Sequence, residues 1–170
     1  MYYTILNLFL IALPALSFGQ DSGFDMDKLK FHGRGLHIPK DTIINMFGEA
    51  DIAYPEYECG GFSSDWQGCT FYQLKYQYFN YIGCDSALFT LEKVTMDHQG
   101  EVKLYYDGMP LTGQTTKADF INIFGKGTVS RFRQDENGES VLLLAKGYDN
   151  GFRFVFRDGK LSSCEYWTSC

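Results

Sequence analysis

No charged side chain occurs in the first nineteen residues of this 170-residue chain. Ile5 to Leu16 is almost wholly apolar and leads to the small residues Ser17 and Gly19, the layout of a secretory signal peptide cut before Gln20. A Lys or Arg near Met1 is missing, so only the α-amino group is positive there. The competing arrangement is an uncleaved anchor, because an apolar stretch of nearly this length just spans a bilayer. Asn7 and Pro14 interrupt it and favour cleavage, after which no stable membrane span is expected. No Cys stands near the cut, so lipid attachment there has no acceptor.

Local catalytic motifs are also lacking. There is no Gly-x-Ser-x-Gly elbow, no phosphate-binding Gly-x-x-x-x-Gly-Lys and no His-Glu-x-x-His. Gly33-Arg34-Gly35 has neither the third glycine nor the long helix of a dinucleotide loop and reads as a turn. Asp97 and His98 are adjacent, which on a strand sends them to opposite faces. Asp51, Glu56, Glu58 and Asp65 could supply paired carboxylates or a calcium site, but their alternation suits a solvated loop. Asp135 to Glu139 has calcium-like composition without EF-hand spacing. No catalytic residue is nominated, and a secreted enzyme of unknown substrate is kept as the alternative function.

Cys-x-x-Cys is absent, and His32, His37 and His98 lie far in sequence from the cysteines, so no zinc site is expected. About 150 mature residues bury roughly two-thirds of their unfolded surface, so no metal or cofactor is needed for folding. A basic stripe is missing as well. The formal charge of −6 repels phosphate backbones and argues against nucleic acid, whereas it attracts a basic protein partner.

What the chain does have is five cysteines, Cys59, Cys69, Cys84, Cys164 and Cys170, all beyond the cut. Export to a periplasmic or extracellular milieu makes disulfides the default. Spacing alone does not choose among the pairings. Cys59 with Cys69 is favoured, because Gly60, Gly61 and Gly68 let the intervening segment fold back. Cys164 with Cys170 comes second, leaving Cys84 buried or as an intermolecular handle.

The chain also repeats itself. Lys40, Ile44, Asn45, Phe47 and Gly48 recur 77 positions later as Lys117, Ile121, Asn122, Phe124 and Gly125. Upstream, Phe31, Gly33 and Leu36 are echoed at an offset of 75 by Tyr106, Gly108 and Leu111. A fixed offset over a helix-like segment suggests two copies of one supersecondary unit, over 20–103 and 104–170, after a signal peptide over 1–19.

In the first copy, Lys28 to Phe31 and Leu36 to Ile38 read as a small hairpin. Pro39 then opens a helix with an Ile43, Ile44, Phe47 stripe, stopped by Gly48. In the second, Thr116 caps a helix with Asp119 three residues on, and Phe120, Ile121 and Phe124 make the stripe. Strand-like sequence follows each helix: Thr70 to Ile82 and Ala87 to Met96, then Val141 to Leu144, Phe152 to Phe156 and Leu161 to Trp167. Asn150-Gly151 and Asp158-Gly159 are placed as the type I′ turns of a three-stranded meander. Glu49 to Gly68 and Gln134 to Ser140 read as polar connections. The fold class is therefore α+β, with helices on one face of an antiparallel sheet and the other face free.

Aromatic residues make up 17% of the chain and concentrate between Phe71 and Tyr81. Strict alternation puts Tyr72, Tyr76 and Tyr78 on one face, and Phe71, Phe79 and Tyr81 on the other. Because Tyr and Trp contribute large contact area at low entropic cost, Tyr72, Tyr76, Tyr78, Trp66 and Trp167 are the candidate partner-binding residues.

Two tandem units of about 75 residues, with Ile-Asn-Met-Phe-Gly and Ile-Asn-Ile-Phe-Gly helix ends and cysteines within a unit, resemble the beta-lactamase inhibitor protein fold. The small lipoproteins of outer-membrane barrel assembly look related in their single repeat, although a lipidation Cys is lacking here. The resemblance implies a concave sheet that holds a partner protein, with no inhibitory loop carried over residue by residue. The expected function is an exported protein-binding module: an inhibitor, immunity factor or envelope accessory.

Overall fold

The computed structural model describes residues 24–57, 60–135 and 138–169. The signal-peptide segment, Glu58, Cys59 and Cys170 lie outside them. The chain is α+β and mostly antiparallel.

A short strand β1 (Leu29–Phe31) and a two-residue β2 (His37–Ile38) precede helix α1 (Lys40–Phe47). Next come β3 (Asp51–Ala53), a one-turn helix α2 (Ser64–Gln67), and strands β4 (Tyr72–Lys75), β5 (Phe79–Gly83) and β6 (Phe89–Thr95). The remaining chain gives β7 (Leu104–Tyr106), β8 (Met109–Leu111) and helix α3 (Lys117–Phe124), then β9 (Phe132–Asp135), β10 (Gly138–Leu144), β11 (Asn150–Arg157) and β12 (Lys160–Thr168). The main sheet runs β3-β4-β5-β6-β12-β11-β10-β9, with β2 beside one end of β6. Two meanders thus meet along their last strands, β6 and β12, where Cys164 faces Val94.

Helices α1 and α3 lie on one side of this sheet, and the core is between. Ile43 and Phe120 are each fully buried. Phe152, Phe154 and Phe156 share the covered face by period two, and the Phe120 ring sits 4.9 Å from Phe154 and 5.4 Å from Phe156. Phe47 packs 4.8 Å from Phe79 on the other half. Each helix ends as read from sequence. Gly48 and Gly125 have φ of 81° and 91°, and each donates its N–H at 2.8 Å to the carbonyl of Ile44 or Ile121. Positive φ there favours glycine over any residue with a Cβ. Thr116 and Asp119 form a reciprocal capping box, whereas Pro39 caps α1 without a side-chain bond.

Several expected connections differ. β1 and β2 do not form a hairpin: a tight turn joins Phe31 to Arg34, but β1 pairs with β7 and β2 with β6. The side chains of Phe31 and Ile38 both need burial, and separate sheets supply it. Asn150-Gly151 is the start of β11 rather than a turn, because Gly151 lies against the Leu143 carbonyl, where a Cβ would collide. Asp158 and Gly159, with φ of 51° and 73°, do make the β11–β12 turn. The connection from Glu49 to Gly68 contains β3 and α2, and Gln134 to Ser140 is largely the β9–β10 hairpin.

Candidate functional site

Beyond α1 and α3, the far face of the sheet has its own cover over one end. The described residues between β3 and β4, 54–57 and 60–71, cross it as a strap. Tyr57 donates its hydroxyl to Glu92, which also accepts from Gln73 Nε2 at 2.7 Å and from Asn80 Nδ2. Gln73 alternates with the core residues Tyr72 and Leu74, so this carboxylate is on the far face. Farther along, the strap meets the end of β12, where the Phe62 ring lies 5.4 Å from Tyr166, whose own ring packs on the core residue Phe152, and a Cβ on Gly60 would come within 3.1 Å of Thr168 and 3.2 Å of the Ser169 carbonyl. The strap therefore reaches from β4 to the end of β12. Beneath it Ile82 (0% exposed) and Thr90 (7%) are buried although they point away from the core. Burial, then the neighbouring Glu92 carboxylate, pushes the Tyr57 phenol well above its ordinary range, so it stays a donor.

A disulfide between Cys69 and Cys84 ties the returning end of the strap to the end of β5. This replaces the expected Cys59–Cys69 pair. Gly68, at φ 70°, turns the chain so that Cys69 faces β5 instead of doubling back. Cys164 is a free thiol, wholly buried on the covered face of β12, which removes it from any pairing with Cys170. Beside the disulfide, Lys40 Nζ donates to the Tyr72 hydroxyl at 2.7 Å, which in turn donates to Asp85. That hydroxyl, followed by Lys40, holds the Asp85 carboxyl below its usual range, while Tyr72, chiefly through burial, is raised. A raised phenol stays protonated and is a poor acid, and the triad acts as a clasp between α1, β4 and the β5–β6 turn.

The candidate partner residues separate. Tyr72 is 7% exposed and Tyr76 is packed between Phe47 and Phe79, its hydroxyl donating to the Gly48 carbonyl at 2.9 Å. Both face the helices, which corrects their placement on the free side. The alternation fails because the chain turns at Tyr76 to Tyr78, returning Phe79 and Tyr81 to the face of Tyr72 and Leu74. Tyr78 is exposed in that turn. Trp167 is on the far face opposite Gly151 and half-buried. Trp66, on α2, is 63% exposed, and among the described residues no aromatic ring stacks on it.

The uncovered remainder of the far face is mixed: Leu142, Leu144 (41% exposed), Val155 and Trp167 lie on it beside charged side chains. Lys93 Nζ pairs with Glu165 at 2.9 Å, and Arg153 is across from Glu165 on β11. Two clefts lie elsewhere: one of about 690 Å³ beside Phe24, His37 and Tyr148, and one of about 680 Å³ between the β7–β8 hairpin and α3. In the first, His37 Nδ1 is 2.9 Å from Thr90 Oγ1. Among the described residues no three His, Cys, Asp or Glu side chains converge to hold a metal, and no helix is long and apolar enough to cross a membrane. Asp97 and His98 do not act together: the Asp97 carboxylate accepts from the N–H groups of Val102 (2.8 Å) and Glu101 (3.1 Å).

The strap and its disulfide were missed from sequence. The signal available was the glycine set at 60, 61 and 68, which marks folding back without saying onto what. Compared with known proteins, the chain matches no family model, no curated protein and no solved structure.

Proposed function

We propose that this chain is an exported, non-enzymatic protein-binding module that engages its partner through the strap-bearing side of the sheet. The observation that carries the reading is Trp66, a large aromatic held in solvent on a segment fastened by Cys69–Cys84 and by the Tyr57–Glu92 bond. A rigid exposed Trp is the kind of anchor that dominates binding energy, because little side-chain or loop entropy is lost on docking. A disulfide in a clasp of this type also fits an oxidising compartment, in line with the signal-peptide reading of residues 1–19.

Two tandem copies remain our reading of the architecture. It is supported by the mirrored strand order about β6 and β12 and by the matching glycine stops at Gly48 and Gly125. The resemblance to the beta-lactamase inhibitor protein fold rests on the same features.

A photo-crosslinking residue at Gln67, beside Trp66, tests the docking surface against a control at Met109 on the far hairpin. The expected result in the exporting host is a protein adduct at position 67 that disappears with Trp66→Ala. Equal adducts from both positions, or an adduct indifferent to Trp66→Ala, would discard the strap as the docking element.

A further inference from the structure

Six acidic residues, Asp41, Glu49, Asp51, Glu56, Glu58 and Asp65, fall between Lys40 and Lys75 with no Lys or Arg among them. Removing those six from the chain's 21 acidic residues leaves 15, against 15 Lys and Arg. The entire net charge of −6 therefore resides in this stretch, and the rest of the chain is balanced.

The described part of the stretch starts at one lateral edge of the main sheet and continues onto its far face. It runs through α1, β3 and the strap, and β3 is the terminal strand of the main sheet. Asp41, Glu49, Asp51, Glu56 and Asp65 are all exposed, and among the described residues none forms an ion pair. Large apolar groups lie among them. Ile52 is 54% exposed and Tyr54 67%, two residues apart and so on the same side of the chain, that of Leu74 and Tyr72, while Trp66 stands on the strap beyond the other face. Apolar side chains left in water beside unpaired carboxylates are arranged for contact, since burying the first supplies affinity and the second selects the sign of the partner.

We infer that this edge receives a basic protein segment carrying apolar side chains, an inference that rests on the docking function proposed above. A second copy of the chain is disfavoured, because edge-to-edge pairing sets like charges opposite one another. Nucleic acid is repelled by the same charge.

The test uses the full mature chain carrying Trp167→Phe, so that Trp66 is the sole tryptophan. Three twelve-residue peptides are titrated, alternating Leu with Lys, with Ser or with Glu. Binding is followed by Trp66 fluorescence and backbone amide shifts. The Lys peptide is expected to perturb residues 49–56 and 61–67 and to weaken about tenfold from 20 to 200 mM salt as the charges are screened. Asp51→Asn, Glu56→Gln and Asp65→Asn together are expected to weaken it about fivefold at low salt. If the Ser or Glu peptide binds the same residues equally well, the charge inference is overturned and the docking surface stands. If no peptide perturbs this edge, or the shifts fall elsewhere, both are overturned.

Discussion

Cys69 is bonded to Cys84, so the returning end of the strap that presents Trp66 is anchored covalently to the end of β5. The sequence separation is 15 residues. A loop of that length restricts the unfolded chain enough to stabilise the native state by about 3 kcal/mol. Cys69→Ser with Cys84→Ser is expected to lower the unfolding free energy by about that amount in urea titrations. Limited proteolysis should then cut first between Gly60 and Phe71, where the described residues of the strap are held by non-covalent contacts alone: the Tyr57–Glu92 bond, the Phe62–Tyr166 contact, the Phe71 N–H donated to the Ser64 hydroxyl and the close approach of Gly60 to Thr168. Unchanged stability with an intact protease pattern would show that packing alone holds the strap.

How far the fold was legible depended on whether the information was local. Helix ends were readable because Gly48, Gly125 and the Thr116–Asp119 cap act within four residues of themselves. The Phe152, Phe154, Phe156 face was readable because period two holds along an uninterrupted strand. Phe79 and Tyr81 were set on the face opposite Tyr72 because a turn resets the alternation, and no Gly, Pro or Asn at Tyr76 to Tyr78 announces it. The strap was hidden for another reason: its partners, Glu92 and Tyr166, are 35 residues from Tyr57 and 104 from Phe62. Long-range pairing of this kind leaves no periodic trace. Trp66 was legible as a candidate only by residue type.

Tyr81 illustrates a cost that the core carries. Its side chain is fully buried, and among the described residues its hydroxyl has no hydrogen-bond partner. Burial raises its phenol well above the ordinary range, so the group is a neutral, unsatisfied donor. Tyr81→Phe keeps the ring and removes the orphan, and should stabilise the protein by about 1 kcal/mol. A lower midpoint in chemical denaturation would mean that the hydroxyl is bonded after all.

The two long helices are capped differently, and the difference is measurable. Thr116 Oγ1 accepts from the Asp119 N–H at 3.2 Å, and Asp119 Oδ2 accepts from the Thr116 N–H at 3.0 Å. Thr116→Ala should cost about 1 kcal/mol. Pro39→Ala at the start of α1 removes no side-chain bond and should cost only the unfolded-state restriction of proline, about 0.5 kcal/mol. Equal losses at the two sites would show that helix starts here are fixed by tertiary packing.

Asp97 gives the fold an acid limit. The N–H of Val102, with further help from that of Glu101, stabilises its ionised form, so its carboxyl lies below the usual range in the folded chain. The Tyr72 hydroxyl and Lys40 do the same for Asp85, and Thr116 does so for Asp119. A depressed folded pKa means that the unfolded state takes up protons first. The stabilisation is therefore complete above the unfolded carboxylate value, about 3.9, and is lost as pH falls from there through the folded value. Denaturation midpoints measured from pH 6 downward should accordingly be flat at first and then drop below about pH 4.5. Asp97→Asn removes one of the three contributors, so its curve starts lower at pH 6 and converges on the wild type in acid. The position joins β6 to β7, and the Gly113 backbone packs against the Asp97 carbonyl so closely that a Cβ there would overlap it. An Asp97→Asn curve parallel to the wild type throughout would mean that the turn, and not its charge, is what the loop requires.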